Sequence, residues 1–222
     1  MNLKIVATLL ALPLLAACAP QVESTLYLSD VQKVLADGKA LETPAVIRIP
    51  QSGEDDCKKA LPGLIAKLKA LAPVTGKGQC ISKDGDQLAE IETSVQVVTA
   101  DTAIDAANLF ALVATPATGG NIALSFHVLK PIEEIVKALA PEDSPSTDFD
   151  PTKFVIHLNN DTAAGLDVDP GEVFVDGEPH LSGGDPVSVQ RRGEIEIRFS
   201  DVASAFTEKG NNYTFASFAL PQ

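Results

Sequence analysis

The chain has 222 residues, of which 17 are Lys or Arg and 30 are Asp or Glu, for a formal net charge of −13. This surplus of acid argues against nucleic-acid binding, which needs a basic footprint, and against a flat approach to anionic lipid. With 45% hydrophobic residues the chain can build one good core or two small ones, and no apolar run reaches the roughly 20 residues of a membrane-spanning helix.

The first residues divide into three zones. Met1 to Lys4 carries the only early positive charges, Ile5 to Leu15 is apolar, and the small residues Ala16 and Ala17 precede Cys18. A basic start, a short apolar stretch and small residues make a secretory signal over residues 1–17. Pro13 argues further against a stable spanning helix. Leu15-Ala16-Ala17-Cys18 resembles the lipobox of bacterial lipoproteins. The resemblance implies a diacylglyceryl thioether on the Cys18 sulfur, cleavage just before Cys18, and acylation of the new amine, palmitate being an expected chain. Two or three acyl chains anchor a protein stably where one does not, at ~0.8 kcal/mol per buried CH2. Ala19 stands where an Asp would suggest retention in the inner membrane, so by resemblance to that sorting rule the outer membrane is expected, on its periplasmic or surface face. Loss of residues 1–17 removes one lysine and no acid, leaving 16 Lys plus Arg against 30 Asp plus Glu, a net −14.

Residues 18–22 form a short tether before a strand over Val22–Leu28. Five extended residues reach at most ~17 Å, so the folded part is expected close to the membrane. Ser29 and Asp30 are candidate N-caps for a short helix through Val31, Val34 and Leu35 that stops near Gly38. Pro44 to Pro50 encloses a strand. Residues 54–71 place Cys57, Leu61, Leu64, Ile65, Leu68 and Leu71 at helical spacing, with Pro62 as a break point. Glu54, Asp55 and Asp56 suit the helix N-terminus; read as paired carboxylates, Asp55 and Asp56 have the simpler account of dipole partners.

Gly76–Cys80 reads as a turn and Gln87–Thr99 as one long or bulged strand. Asp101 is a candidate cap for a helix over Ile104, Ala107, Leu109 and Phe110. Thr115–Gly120 reads as a loop, and Asn121–Leu129 alternates as a half-buried strand. Pro131 opens a helix over Ile132–Leu139. Residues 141–151, with three prolines and four acids, read as a linker. Beyond it the helix signals stop. Lys153–Asn159, Glu172–Asp176, Pro186–Gln190, Glu194–Phe199 and Tyr213–Phe218 read as short strands, with turns at Asp176-Gly177, Gly183-Gly184 and Arg192-Gly193. The expected fold is α+β: an α/β-type part with a mixed sheet over 23–140, then a β-rich part with short antiparallel strands over 152–222.

With Cys18 assigned to lipid, Cys57 and Cys80 remain, an even pair in an oxidising compartment. A disulfide between them closes a loop worth about 3 kcal/mol in the chain-entropy model. The alternative is a reactive or metal-binding pair, although no His lies near either cysteine in sequence and there is no CxxC. His127 and His157 fall on the polar side of strand alternations, and His180 follows a Gly-Glu-Pro turn; all three read as ordinary exposed histidines. Asp167 to Glu178 has a superficial calcium-loop spacing, but Glu172 stands where the loop needs Gly, so a turn between strands is expected. There is no GxSxG and no GxxxxGK[ST]. No metal, cofactor or catalytic residue is assigned.

The segment Leu26-Tyr27-Leu28-Ser29-Asp30, Thr43-Pro44-Ala45, and Glu54-Asp55-Asp56-Cys57 followed by Gly78-Gln79-Cys80 resemble uncharacterised bacterial and prophage-encoded lipoproteins over residues 18–98. That resemblance brings no established activity, so no functional residue is carried over. The expected role is non-enzymatic binding of an envelope protein or ligand by a membrane-anchored lipoprotein. The alternatives are an envelope hydrolase acting on peptidoglycan or lipid, or a scaffold of an envelope assembly.

Overall fold

A computed structural model describes residues 19–74, 77–130, 135 and 151–220. Cys18, the expected signal segment and nearly all of the expected 132–139 helix and 141–151 linker lie outside the described residues. Thirteen strands form one sheet. The first, β1 (Gln21–Tyr27), alternates as read, with Val22, Ser24 and Leu26 buried and its odd-numbered residues half-buried. Helix α1 (Leu28–Asp37) follows without a break. Ser29 does not cap it; its N–H and hydroxyl both bond to the Asp161 carboxylate instead. Gly38 ends α1 at φ +64, a left-handed conformation that glycine adopts without penalty, and its N–H returns to Val34 O at 2.9 Å.

β2 (Leu41–Gln51) runs antiparallel to β1, and α2 (Glu54–Lys69) then covers the core with Cys57, Leu64 and Leu68. Pro62 lies inside α2 without ending it. The carbonyl deprived of its partner belongs to Lys58, which is exposed, so solvent can donate to it in place of the missing N–H. β3 (Gly78–Lys83) replaces the expected turn and pairs only with β4 (Asp86–Thr99). A disulfide joins Cys57 of α2 to Cys80 of β3, with Cα atoms 6.0 Å apart.

The segment after Asp101 is not helical. Residues 101–109 are turns and bends, and β5 (Phe110–Pro116) starts within the expected helix. Phe110 to Ala114 are all buried, so β5 presents an unbroken apolar run with no period of two. β6 (Asn121–Val128) and β7 (Lys153–Asn159) match their expected positions. β8 (Leu166–Pro170), β9 (Val173–Val175), β10 (Glu178–Pro179), β11 (Val187–Val189) and β12 (Glu194–Phe199) follow, then α3 (Asp201–Glu208) and β13 (Tyr213–Ala219). Helix α3 lies where helix signals were read as absent. Ser200 caps it, its hydroxyl accepting the Ala203 N–H at 3.2 Å.

The strand order is β10-β9-β12-β7-β1-β2-β4-β5-β6-β13-β8-β11. Only β1/β7 and β4/β5 pair in parallel. The expectation of an α+β fold with an α/β-type first part is therefore overturned: the chain is mostly β, one curled mixed half-barrel sheet with three helices among the described residues. The physical reason is non-local pairing. β7 does not begin a separate sheet; it lies against β1 over all seven residues of each.

Curling follows from connectivity. β8 pairs with β13 and β9 pairs with β12, yet only Gly171 and Glu172 separate β8 from β9. Two residues reach under ~10 Å, so β13 and β12 must come together. The aromatic rings show where: Phe199 of β12 stacks within 5.0 Å of Tyr213 and 5.8 Å of Phe215 on β13, while Phe126 and Phe154 meet at 4.9 Å. Gly171 sits at the crossing, its N–H bonded to Phe215 O at 2.9 Å; a Cβ there would stand 2.9 Å from Thr214 O. Both neighbours are backbone. Gly171→Ala is expected to cost about 1–3 kcal/mol, the range for overpacking a filled site. Thermal unfolding followed by circular dichroism checks this, and an unchanged midpoint contradicts it.

Candidate functional site

Two polar centres stand on the outer surface of the sheet. The first grows from the half-buried face of β1. Glu23 receives both terminal nitrogens of Arg48 on β2, and Arg48 Nε donates to Glu90 on β4 at 2.8 Å. Gln79 donates to the other Glu90 oxygen at 2.7 Å. His157 on β7 sits with Nε2 3.4 Å from Glu23 and Nδ1 3.2 Å from Glu194 on β12. Burial pulls the Glu23 carboxyl up, yet the hydrogen bond with His157 and the Arg48 guanidinium outweigh it and hold it well below the usual carboxylate range. The same hydrogen bond to Glu23 raises His157, against the opposing effect of burial.

This couple sets a pH dependence. A raised His157 contributes stability that is full below the ordinary histidine value of 6.5 and is lost as pH rises through its raised value. A depressed Glu23 contributes stability that is present above its ordinary 4.5 and is lost as pH falls toward its depressed value. Wild type is therefore expected to lose stability as pH rises above 6.5 in a way that His157→Gln does not. Denaturant midpoints across that rise check it, and parallel curves for the two proteins contradict it. Every member of this centre is satisfied by another, so it acts as a structural clamp across β1, β2, β4 and β7.

The second centre is open. On β6 the outward residues are Ala123, Ser125 and His127; on β5 they are Val113 and Thr115. Residues 100–109 fold over this surface and bury Val98, Ala111 and Val113 against Ala40, Ile104 and Leu129. The loop is pinned in place: Thr99 and Thr102 share a hydroxyl bond at 2.7 Å, Thr102 donates to Gly38 O at 3.2 Å, and Asp105 N–H bonds to Gln96 at 2.8 Å. Asp105 also accepts the Ala107 N–H at 2.9 Å, closing a turn where the helix capped by Asp101 was expected. Asn212 and Thr214, at the start of β13, form the opposite wall.

The result is a cleft of about 280 Å³. Five hydroxyls line it, from Thr99, Thr102, Thr115, Ser125 and Thr214, with the Asn212 amide and the His127 imidazole. Ser125 Oγ and His127 Nε2 lie 3.1 Å apart. Burial lowers the His127 pKa, so the ring is neutral at pH 7 and the lining carries no charge. Such a lining can donate to and accept from a neutral hydrogen-bonding group.

The family model of a domain of unknown function, DUF7424, matches residues 20–222. The chain belongs to this family. No curated protein and no solved structure matches it. The DUF7424 match starts two residues after Cys18 and leaves residues 1–19 outside its span.

The structure distributes the residues singled out in the sequence. Cys57 and Cys80 are bonded to each other. His127 lines the cleft, His157 belongs to the Glu23 centre, and His180 follows β10 with its N–H on Val173 O. Asp55 and Asp56 are exposed in the first turn of α2. Asp167 and Asp169 lie on β8 rather than in a turn, and Asp167 accepts the Ser188 hydroxyl. Among the described residues no three His, Cys, Asp or Glu side chains form a metal-sized group. The cleft threonines were missed because they come from three strands and a loop; the outward alternation of Ser125 and His127 was their only trace in the sequence.

Proposed function

We propose that this DUF7424 member is a lipoprotein of the bacterial envelope, anchored through Cys18, that binds a neutral hydrogen-bonding group of an envelope partner in the cleft over β5, β6 and β13. The carrying observation is the position of the cleft relative to the anchor. Gln21 is level with Arg48 on β2, which is level with Glu90 on β4. The cleft residue Thr99 stands nine residues further along β4, about 30 Å at 3.3 Å per residue. A lipid on Cys18 leaves the Thr99 end of this cleft clear of the bilayer and open to a partner, while Asn212, held near α3 by the bond from the Asn211 amide to Phe206 O at 2.9 Å, forms the end nearer the anchor. Ala19 supports a close anchor: it is already buried, and Pro20 O accepts the Lys153 N–H at 2.8 Å. The free tether is thus shorter than residues 18–22.

A photo-crosslinking residue in place of Thr115, in lipidated protein on bacterial envelopes, tests this. The expected result is a defined crosslinked partner whose yield falls several-fold with Thr214→Phe, which fills the cleft. The 3.1 Å contact of Ser125 with His127 favours one rival, an envelope hydrolase with Ser125 as nucleophile. Turnover of peptidoglycan or lipid that disappears in Ser125→Ala, without a crosslinked partner, would replace the binding reading by that one.

A further inference from the structure

The exposed large hydrophobic side chains among the described residues are Leu181 at 74%, Val202 at 82% and Phe206 at 48%. Leu181 is distant in sequence from the other two, but the registers bring all three to one end of the sheet. Lys153 on β7 pairs with Gln21. β12 runs antiparallel to β7 with Arg198 opposite Val155, which carries Ser200 to the level of Lys153. Helix α3 begins there, and at its end Glu208 accepts the Thr152 N–H at 2.6 Å. On β9, Val173 lies opposite Phe199; Val173 O accepts the His180 N–H, and Leu181 follows at the level of Ser200. Val202 and Phe206 are four residues apart on α3 and share a face, while Ala203, Ser204 and Thr207 are its buried residues.

We infer that Leu181, Val202 and Phe206 form the surface that rests on the lipid bilayer. This rests on the reading of Cys18 as the lipid anchor. Only Ala19 and Pro20 separate Cys18 from Gln21, at most ~10 Å of chain, so the end of the sheet that carries the apolar trio is held at the membrane. Apolar side chains on an otherwise acidic molecule gain by leaving water at that interface. The contact is one-sided. On the other flank of β1, β2 and β4 continue past Gln21 to Gln51 and Gln87, beside the exposed acids Glu54, Asp55, Asp56, Asp84 and Asp86. Those acids favour water and resist anionic headgroups. The α3 side carries acid too, with Asp201 exposed beside Val202, so the lean onto α3 rests on its apolar side chains and a zwitterionic surface suits it best.

The test uses the full lipidated chain in phosphatidylcholine vesicles, with a nitroxide label placed by Leu181→Cys, Val202→Cys or, at the remote end, Asp101→Cys. All three sites are exposed, so the fold tolerates the label. Labels at 181 and 202 are expected to become several-fold more accessible to oxygen relative to a water-soluble nickel chelate than the label at 101. Phe206→Asp is expected to return the label at 181 toward the value at 101. Water-like values at 181 and 202, in protein whose Cys18 lipid is verified by mass, overturn this inference and leave the anchor standing. A Cys18 without lipid removes both.

Discussion

Arg48→Ala is expected to destabilise the fold by about 3–5 kcal/mol, the range for removing one partner of a buried ion pair. The Arg48 side chain is 9% exposed and its carboxylate partners Glu23 and Glu90 are 18% and 13% exposed. In wild type one guanidinium makes three hydrogen bonds across three adjacent strands, so two carboxylates share one compensating cation at short range. With Ala there, Lys83 and His157 still face Glu23, but Glu90 keeps only the Gln79 amide. The cost comes from Glu90 left dry without a cation and Glu23 with weaker ones, not from the loss of an attraction alone. A triple variant that removes the charges together, Glu23→Gln with Arg48→Met and Glu90→Gln, is therefore expected to recover most of the loss. Urea unfolding at pH 7 measures both. A loss under about 1 kcal/mol for Arg48→Ala, the level of an exposed pair, would contradict a buried clamp.

Replacing both Cys57 and Cys80 by Ser is expected to cost about 3 kcal/mol, within the 2–5 kcal/mol typical of removing a native disulfide. The bridge spans a sequence separation of 23 residues and joins the first turn of α2 to β3. Among the described residues β3 pairs with β4 alone, so the covalent link and the α2 contact hold what the ladder holds on one side. Cys57 is fully buried against the core, and two hydroxyls in place of the bridge bring polar groups into that position. Thermal unfolding in oxidising and reducing buffer measures the effect. A reductant that leaves the wild-type midpoint unchanged, with both thiols shown to be free, contradicts it.

Legibility of this fold tracked how local its signals were. β6 was readable because one face packs Ile122, Leu124 and Phe126 into the core while Ser125 and His127 face outward. β5 was not, because the 100–109 loop covers its second face and erases the alternation. β8 carries Asp167 and Asp169 on its exposed side and reads as a turn until β13 and β11 pair with it from outside its own neighbourhood. Helix α3 had its signal in plain sight: Ser200 at the cap and Asp201 in the first turn. The change from two parts to one curled sheet turns on β1 meeting β7 across more than a hundred residues, a pairing no local pattern encodes. For the cleft, the sequence exposed His127 and Ser125 on one face, and the curling of the sheet supplied Asn212 and Thr214.

The most direct measurement is the intact mass and N-terminal peptide of the protein isolated from bacterial membranes. The account predicts a chain that begins at Cys18 and carries diacylglyceryl on its sulfur, with a further acyl chain on its amine. A chain that keeps residues 1–17, or one with an unmodified Cys18, would contradict it.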